Sequence, residues 1–135
     1  MSEPAHAVHA RPLAPATAVE LSARSARWSG DLATTAGGAG HDPTPHELLD
    51  SALAACTLLT LQLYARRKNY LLQSCEVRVQ REQSADTYRM QRQVTVTGAL
   101  DAAQRADLLR VANACPIHKA LDKRFEIETT LGAGN

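Results

Sequence analysis

Several features that would assign this chain to a function class are scarce or missing. Aromatic residues make up 4% of the 135 residues, with one tryptophan, three tyrosines and one phenylalanine. Fifteen basic residues against 14 acidic ones give a net charge of +1. This balance gives no electrostatic reason to expect binding to nucleic acid or to an anionic membrane. No uninterrupted apolar run reaches the ~20 residues of a spanning helix.

Targeting and phosphate-binding signals are also missing. Residues 1–16 have neither a basic start nor an apolar stretch, so we expect no secretory signal and a cytoplasmic protein. The glycine-rich stretch 37–40 is not followed by Lys-Ser/Thr and does not have GxGxxG spacing, so we expect a flexible loop. Three cysteines in a cytoplasmic chain of this size do not indicate structural disulfides.

Large apolar side chains are few, because much of the 44% hydrophobic content is alanine. A single chain of this size therefore has little apolar area to bury, at ~25 cal/mol per Å². The composition favours an obligate oligomer that shares its core between copies.

The order of local patterns predicts an α+β protein, ββ-α-ββ-α-α-β, with a buried central helix. Residues 1–16 read as a disordered arm before a single domain over residues 17–135. A weak hairpin pattern covers residues 17–35. The alternating strands then centre on residues 75–80, 90–97 and 125–131.

Three helix starts have clear capping signals. Thr44 and Glu47 form a capping box around Pro45, which predicts a helix to about Lys68 that is apolar on most sides. A second capping box begins at Asp101. A short third helix is expected from Pro116 to about Lys123, with Cys115 as its cap.

The cysteines differ in local chemistry. Cys75 alternates with the apolar residues of a strand and reads as a core residue. Cys56 lies within the apolar helix, where the helix dipole is too distant to activate it, and a buried inert thiol is the alternative to a reactive one. Cys115, as a helix cap beside His118 and Lys119, has donors and charge that favour a thiolate or a good leaving group.

A zinc site formed by Cys56, Cys115 and His118 is a further alternative, although paired CxxC ligands are missing. We expect no metal and no resident cofactor.

Two segments together resemble the OsmC/Ohr family of osmotically induced and organic hydroperoxide resistance proteins. Residues 45–57 (PHELLDSALAACT) look like the helix that carries the family's reactive cysteine, and residues 114–119 (ACPIHK) look like its second cysteine segment. The similarity covers about residues 40–131 and is strongest to the shorter OsmC-like branch.

The resemblance implies an intertwined homodimer with two active sites at the subunit interface. It also implies a thiol-dependent peroxidase that reduces alkyl or fatty-acid hydroperoxides, with Cys56 as the peroxidatic residue and Cys115 as the resolving one. An external dithiol such as a lipoylated protein would then reduce the resulting disulfide. The alternative is an OsmC-like dimer that binds a small hydrophobic ligand without catalysis.

Family members pair the reactive thiol with an arginine and a glutamate. The chain has no Gly-Gly-Arg motif, so we predict Arg27 in the arginine role, because it adjoins Trp28, an apolar anchor for a site mouth; Arg24 and a donor from His41 are alternatives. Glu47 is the candidate glutamate, although nine steps of about 100° place it opposite Cys56 on a straight helix, and the capping box also explains it.

Overall fold

The computed structural model describes residues 6–132, which form two small sheets and three α-helices. The elements in chain order are β1 (His9–Pro12), β2 (Val19–Ala23), β3 (Ala26–Gly30), α1 (Pro45–Lys68), β4 (Leu71–Gln83), β5 (Tyr88–Ala99), α2 (Ala102–Ala112) and α3 (Pro116–Leu121). A short 3-10 turn covers Thr34–Ala36. The predicted α+β class is confirmed.

The chain divides into two compact units, which are described separately. The first comprises Met1–Ala52 and Val79–Gln91, and the second comprises Leu53–Arg78 and Arg92–Asn135. The single domain predicted over residues 17–135 stays a prediction.

The first unit contains a three-stranded antiparallel sheet in the order β1-β2-β3. The β2–β3 hairpin confirms the weak pattern over residues 17–35, and its turn residue Arg24 has a positive φ of 55°. The structure differs from the predicted disordered arm at residues 9–12, since β1 pairs with β2 from His9↔Ser22 to Pro12↔Val19. The backbone of β1 forms hydrogen bonds with the edge of β2, and the local composition of the arm gives no indication of this partner. Residues 1–5 of that arm lie outside the described residues.

The glycine-rich stretch of this unit is held by Asp31. Its buried carboxylate accepts hydrogen bonds from the Thr17 hydroxyl at 2.6 Å and from the Leu32 and Ala39 amides at 2.7 and 3.0 Å. These donors, chiefly the Thr17 hydroxyl, lower the pKa of Asp31. One carboxylate therefore orders a loop that the glycine content predicted to be flexible.

The second unit has its core between α1 and α2. Buried residues of the two helices pack together, and partly buried side chains of β4, β5 and the intervening segments cover them. The buried members of this core are Leu61, Ala65, Leu108, Val111 and Ala112.

The predicted capping boxes are present. Thr44 and Glu47 exchange hydrogen bonds of 2.9 and 3.2 Å at the start of α1, and Asp101 and Gln104 exchange 3.1 and 2.8 Å bonds at the start of α2. Both satisfy amide groups that have no partner within the first helical turn. The predicted bounds of α1 are therefore confirmed.

α1 is buried along one stripe, whereas the sequence predicted burial on most sides. Leu53, Thr57, Leu61 and Ala65, four residues apart, are its buried residues. Leu59 and Leu63 are exposed. The described chain covers one side of the helix, and the other apolar side has no cover within it. By length and composition alone α1 could also cross a membrane, a property that it shares with core helices of soluble proteins.

The predicted last strand does not form in the described residues. After α3 the chain runs without ladder pairing to residue 132, and its alternating apolar side chains are exposed: Phe125 by 61%, Ile127 by 85% and Leu131 by 101%. A strand requires a neighbouring strand for its backbone groups, and residues 6–132 provide no such partner for this segment. The observed order is therefore βββ-α-ββ-α-α.

Candidate active site

Cys115 lies at the start of α3, in the second unit. Pro116 is the first helical residue, and the Cys115 Sγ accepts a hydrogen bond from the His118 amide at 3.4 Å. The side chain is fully buried, with 0% exposure. The predicted cap is thus confirmed, and it places one sulfur where a backbone N–H points at it.

Arg92 of β5 brings a positive charge to the same sulfur. Its Nη1 donates to Thr57 Oγ1 at 3.0 Å and lies 3.9 Å from Cys115 Sγ. Its Nη2 contacts Asn113 Oδ1 and His118 Nδ1, each at 2.9 Å. One guanidinium therefore connects α1, the end of α2 and α3 around Cys115.

The donor and acceptor roles in this network follow from the arginine. A guanidinium can only donate, so His118 Nδ1 accepts and the ring proton resides on Nε2. That nitrogen lies 3.5 Å from Asp122 Oδ2. The imidazole is consequently held in one tautomer between Arg92 and Asp122.

Thr57 connects the network to α1. Its hydroxyl donates to the Leu53 carbonyl at 2.7 Å, and the same oxygen lies 3.7 Å from Cys115 Sγ. Thr57 is fully buried, so its position next to the sulfur is fixed by packing as well as by hydrogen bonding.

Cys56 precedes Thr57 in α1 and is partly exposed. Its Sγ lies 3.9 Å from Thr60 Oγ1, and the Cys56 thiol is one of the groups that lower the pKa of Cys115. The structure therefore brings together the two cysteines that the sequence singled out, although 59 residues of chain separate them.

The environment of Cys115 favours the thiolate. Burial by itself raises the pKa of this thiol, but hydrogen bonds from the His118 amide, Thr57 and Cys56, together with the charge of Arg92, outweigh burial and lower the pKa. Removal of a donor or of the positive charge should therefore raise it.

The predicted partners Arg27 and Glu47 belong to the first unit and have contacts there. Arg27 is exposed and lies 3.8 Å from Glu20. The Glu47 carboxylate accepts from the Thr44 amide, and this bond is the largest cause of its lowered pKa. The catalytic roles of both residues stay predictions.

Cys75 lies on β4 beside the core of the second unit, and burial raises the pKa of its thiol. Within residues 6–132, no three His, Cys, Asp or Glu side chains are grouped as a metal site would need.

Sequence reasoning missed Arg92, although a signal was present. β5 alternates inward and outward residues, and Arg92 has an inward position in step with Met90, Val94 and Val96. A charged residue on the inner face of an amphipathic strand needs a partner, which is a reason to expect a functional or structural role.

The fold is that of OsmC-like proteins. Residues 37–130 match the OsmC-like protein family, and the chain belongs to it. α1 is thus a helix of this fold, so its apolar length is no indication of a membrane. No curated protein matches the sequence.

Solved structures share the architecture at low sequence identity. An OsmC-like protein from Mycoplasma pneumoniae is 18% identical, with a TM-score of 0.72 and coverage of 90% of this chain and 89% of that one. An organic hydroperoxide resistance protein OsmC from Legionella pneumophila is 17% identical, with a TM-score of 0.64 and coverage of 90% and 92%. The organic hydroperoxide resistance protein OhrB of Bacillus subtilis is 21% identical, with a TM-score of 0.57 and coverage of 87% and 90%.

Proposed function

We propose that this protein is a thiol-dependent peroxidase that reduces organic hydroperoxides through a two-cysteine cycle. One observation carries the proposal: in an OsmC-like fold, a partly exposed cysteine adjoins a buried one whose thiolate is favoured by its surroundings. Structural neighbours named as organic hydroperoxide resistance proteins support a peroxide-related role.

In this proposal Cys56 is the peroxidatic residue, because a hydroperoxide can reach a partly exposed sulfur. The Cys56 thiolate attacks the terminal oxygen of an alkyl or fatty-acid hydroperoxide, and the O–O bond breaks. The alkoxide leaves and takes up a proton to become an alcohol, while Cys56 becomes a sulfenic acid.

Cys115 is the proposed resolving residue. Its thiolate attacks the Cys56 sulfur, an S–S bond forms, and the sulfenic oxygen leaves as water after protonation. Two electrons from an external dithiol, such as a lipoylated protein, then restore both thiols. The cycle needs no resident metal or cofactor, and a cytoplasmic location would keep the dithiol reduced.

We also propose that two copies form the homodimer that the composition favours. The face of α1 that carries Cys56 also carries Leu59 and Leu63, which are exposed by 66% and 46%. Burial of the exposed part of each leucine would stabilise an interface by roughly 0.7–2 kcal/mol. A partner copy on this face would enclose Cys56 at the subunit interface.

The first test is intact mass and free-thiol count after stoichiometric cumene hydroperoxide. Wild type should lose two thiols and yield a Cys56–Cys115 cross-linked peptide. Cys56→Ser should abolish peroxide consumption, because the attacking sulfur is gone. Cys115→Ser should retain one turnover and accumulate the Cys56 sulfenic acid, which a dimedone adduct reports.

Cys75→Ser is the matched control and should consume peroxide as wild type does. Unchanged turnover in Cys56→Ser would overturn the mechanism. Three unreacted thiols in the wild type would instead favour the ligand-binding alternative, which native mass spectrometry of the purified protein would reveal as a bound small molecule.

A further inference from the structure

Arg92 has contacts with every element around Cys115, and the two-cysteine cycle by itself assigns it no task. We propose that Arg92 is a positioning residue that makes Cys115 the leaving sulfur when the Cys56–Cys115 disulfide is reduced, so that the mixed disulfide with the reductant forms on Cys56. This inference rests on the proposed function and assigns the order of its reductive steps.

The geometry fixes the charge beside one sulfur. Arg92 Nη1 lies 3.9 Å from Cys115 Sγ, while Nη2 is held by Asn113 and His118 at 2.9 Å each. Three hydrogen-bonded anchors, including Thr57 at 3.0 Å, restrain the guanidinium. The hydrogen bonds of Arg92 among the described residues include Cys115 and do not include Cys56, so the guanidinium is directed at one end of the disulfide.

Two further donors face the same sulfur. The His118 amide points at Cys115 Sγ from 3.4 Å, and the Thr57 hydroxyl at 3.7 Å can rotate from the Leu53 carbonyl toward a sulfur anion. Negative charge that develops on Cys115 therefore meets the His118 amide and the Arg92 guanidinium already in place, and the Thr57 hydroxyl after a rotation about its C–O bond.

The two sulfurs also differ in solvent exposure, and this difference favours the same direction of attack. Cys115 is fully buried, whereas Cys56 is partly exposed. An incoming thiolate can approach the Cys56 sulfur, and thiol–disulfide exchange is faster when the departing thiol has the lower pKa. The donors described above lower the pKa of Cys115, so exposure and leaving-group ability select the same direction of attack.

The chemistry balances in two exchange steps. A thiolate of the dithiol attacks Cys56 Sγ, the Cys56–Cys115 bond breaks, and Cys115 leaves as a thiolate with the electron pair. The second thiolate of the reductant then attacks the reductant's first sulfur, which is bonded to Cys56 in the mixed disulfide. The bond to Cys56 breaks, and Cys56 leaves as a thiolate. The dithiol is oxidised to a disulfide, and the protein is reduced by two electrons.

The direction of attack can be tested without peroxide. Diamide oxidises the Cys75→Ser protein to the Cys56–Cys115 disulfide, and a limiting amount of 2-mercaptoethanol followed by rapid acid quench captures the mixed disulfide. Peptide mass spectrometry should place the adduct on Cys56. An adduct mainly on Cys115, or no disulfide at all, would overturn the inference.

The role of Arg92 is tested by Arg92→Gln, with Arg89→Gln as the matched control, since Arg89 is an exposed arginine of the same strand. In a Cys56→Ser, Cys75→Ser background, thiolate absorbance should give a higher Cys115 pKa for Arg92→Gln and no change for Arg89→Gln. Dithiothreitol should reduce the diamide-formed disulfide of Arg92→Gln about three- to tenfold more slowly. Arg92→Lys, which keeps the charge, should recover part of both effects.

Equal pKa values and equal reduction rates in Arg92→Gln and Arg89→Gln would overturn the role of Arg92. Because diamide forms the disulfide, these readouts do not depend on peroxide turnover. A protein that fails to reduce hydroperoxides but still shows the Arg92 effect would contradict the proposed function alone.

Discussion

Asp107 illustrates how much one side chain organises in the second unit. Its Oδ2 accepts hydrogen bonds from the Tyr64 and Tyr70 hydroxyls at 2.6 and 2.7 Å, and its Oδ1 pairs with Arg110 at 2.6 Å. These donors, the Tyr64 hydroxyl first, hold the pKa of Asp107 well below its usual range. Two of the few aromatic residues thus join α1 and its following turn to α2.

The same contacts predict an alkaline limit to stability. The hydrogen bond to Asp107 is the main cause that raises the pKa of Tyr70 to about 12. An unfolded tyrosine ionises near pH 10, so the contribution of Tyr70 is complete below about pH 10 and is lost as pH rises from 10 to 12. In Tyr70→Phe the midpoint of urea unfolding should therefore decrease less steeply with pH than in wild type across this window.

Tyr88→Phe is the comparison variant: burial, and then the hydrogen bond to Asp50, raise the pKa of Tyr88 too, so this change should remove a separate part of the same alkaline loss of stability. An alkaline slope in Tyr70→Phe equal to that of wild type would contradict the assignment to Tyr70. Asp107→Asn should remove the acid-side loss of stability that this carboxylate contributes as pH falls through its lowered pKa.

The β4–β5 hairpin contains a position that only glycine fits. Gly98 has a φ of +137°, and an added Cβ would lie 2.1 Å from the Leu71 carbonyl oxygen. The sequence pattern predicted a strand over residues 90–97, and β5 continues through Gly98 to Ala99. The glycine permits a close approach of the two strands.

Gly98→Ala should therefore lower the free energy of unfolding by more than about 1 kcal/mol, because both the backbone angle and the clash oppose a side chain. Urea unfolding followed by circular dichroism measures the change. Gly132→Ala, where no atom lies within 4 Å of an added Cβ, is the control and should match wild type. Equal midpoints for the two variants would contradict the steric argument.

Among the exposed apolar side chains of the described residues, two groups bear on assembly. One is the Cys56 face of α1, and the other is the segment after α3, where Phe125, Ile127 and Leu131 alternate without a strand partner. Alternation of this kind is typical of a strand with one buried face. A second copy of the chain would give both segments a neighbour.

Sedimentation or light scattering should therefore give twice the 14.6 kDa mass of one chain. Ile127→Glu should shift this mass toward the monomer, because a charge would be buried in the interface. Thr130→Glu, on the opposite side of the same alternation, is the control and should remain dimeric. A wild type that is monomeric at every concentration would contradict the homodimer.

Local sequence patterns were sufficient to predict the elements whose formation depends on residues close in sequence. The capping boxes at Thr44 and Asp101, the Pro116 start of α3 and the alternations of β4 and β5 depend on neighbours within a few residues, so the sequence alone determined them. The sequence also singled out Cys56 and Cys115 as candidate reactive residues, and that role stays a prediction.

Only the tertiary structure decided what depends on residues distant in sequence. β1 forms because the edge of β2 pairs with it, and the segment after α3 is unpaired because the part of the chain that the structure describes offers it no neighbouring strand. Arg92 reaches Cys115 because β5 places it there, across 23 residues. Backbone pairing and charge proximity act through space, and no local pattern encodes the partner.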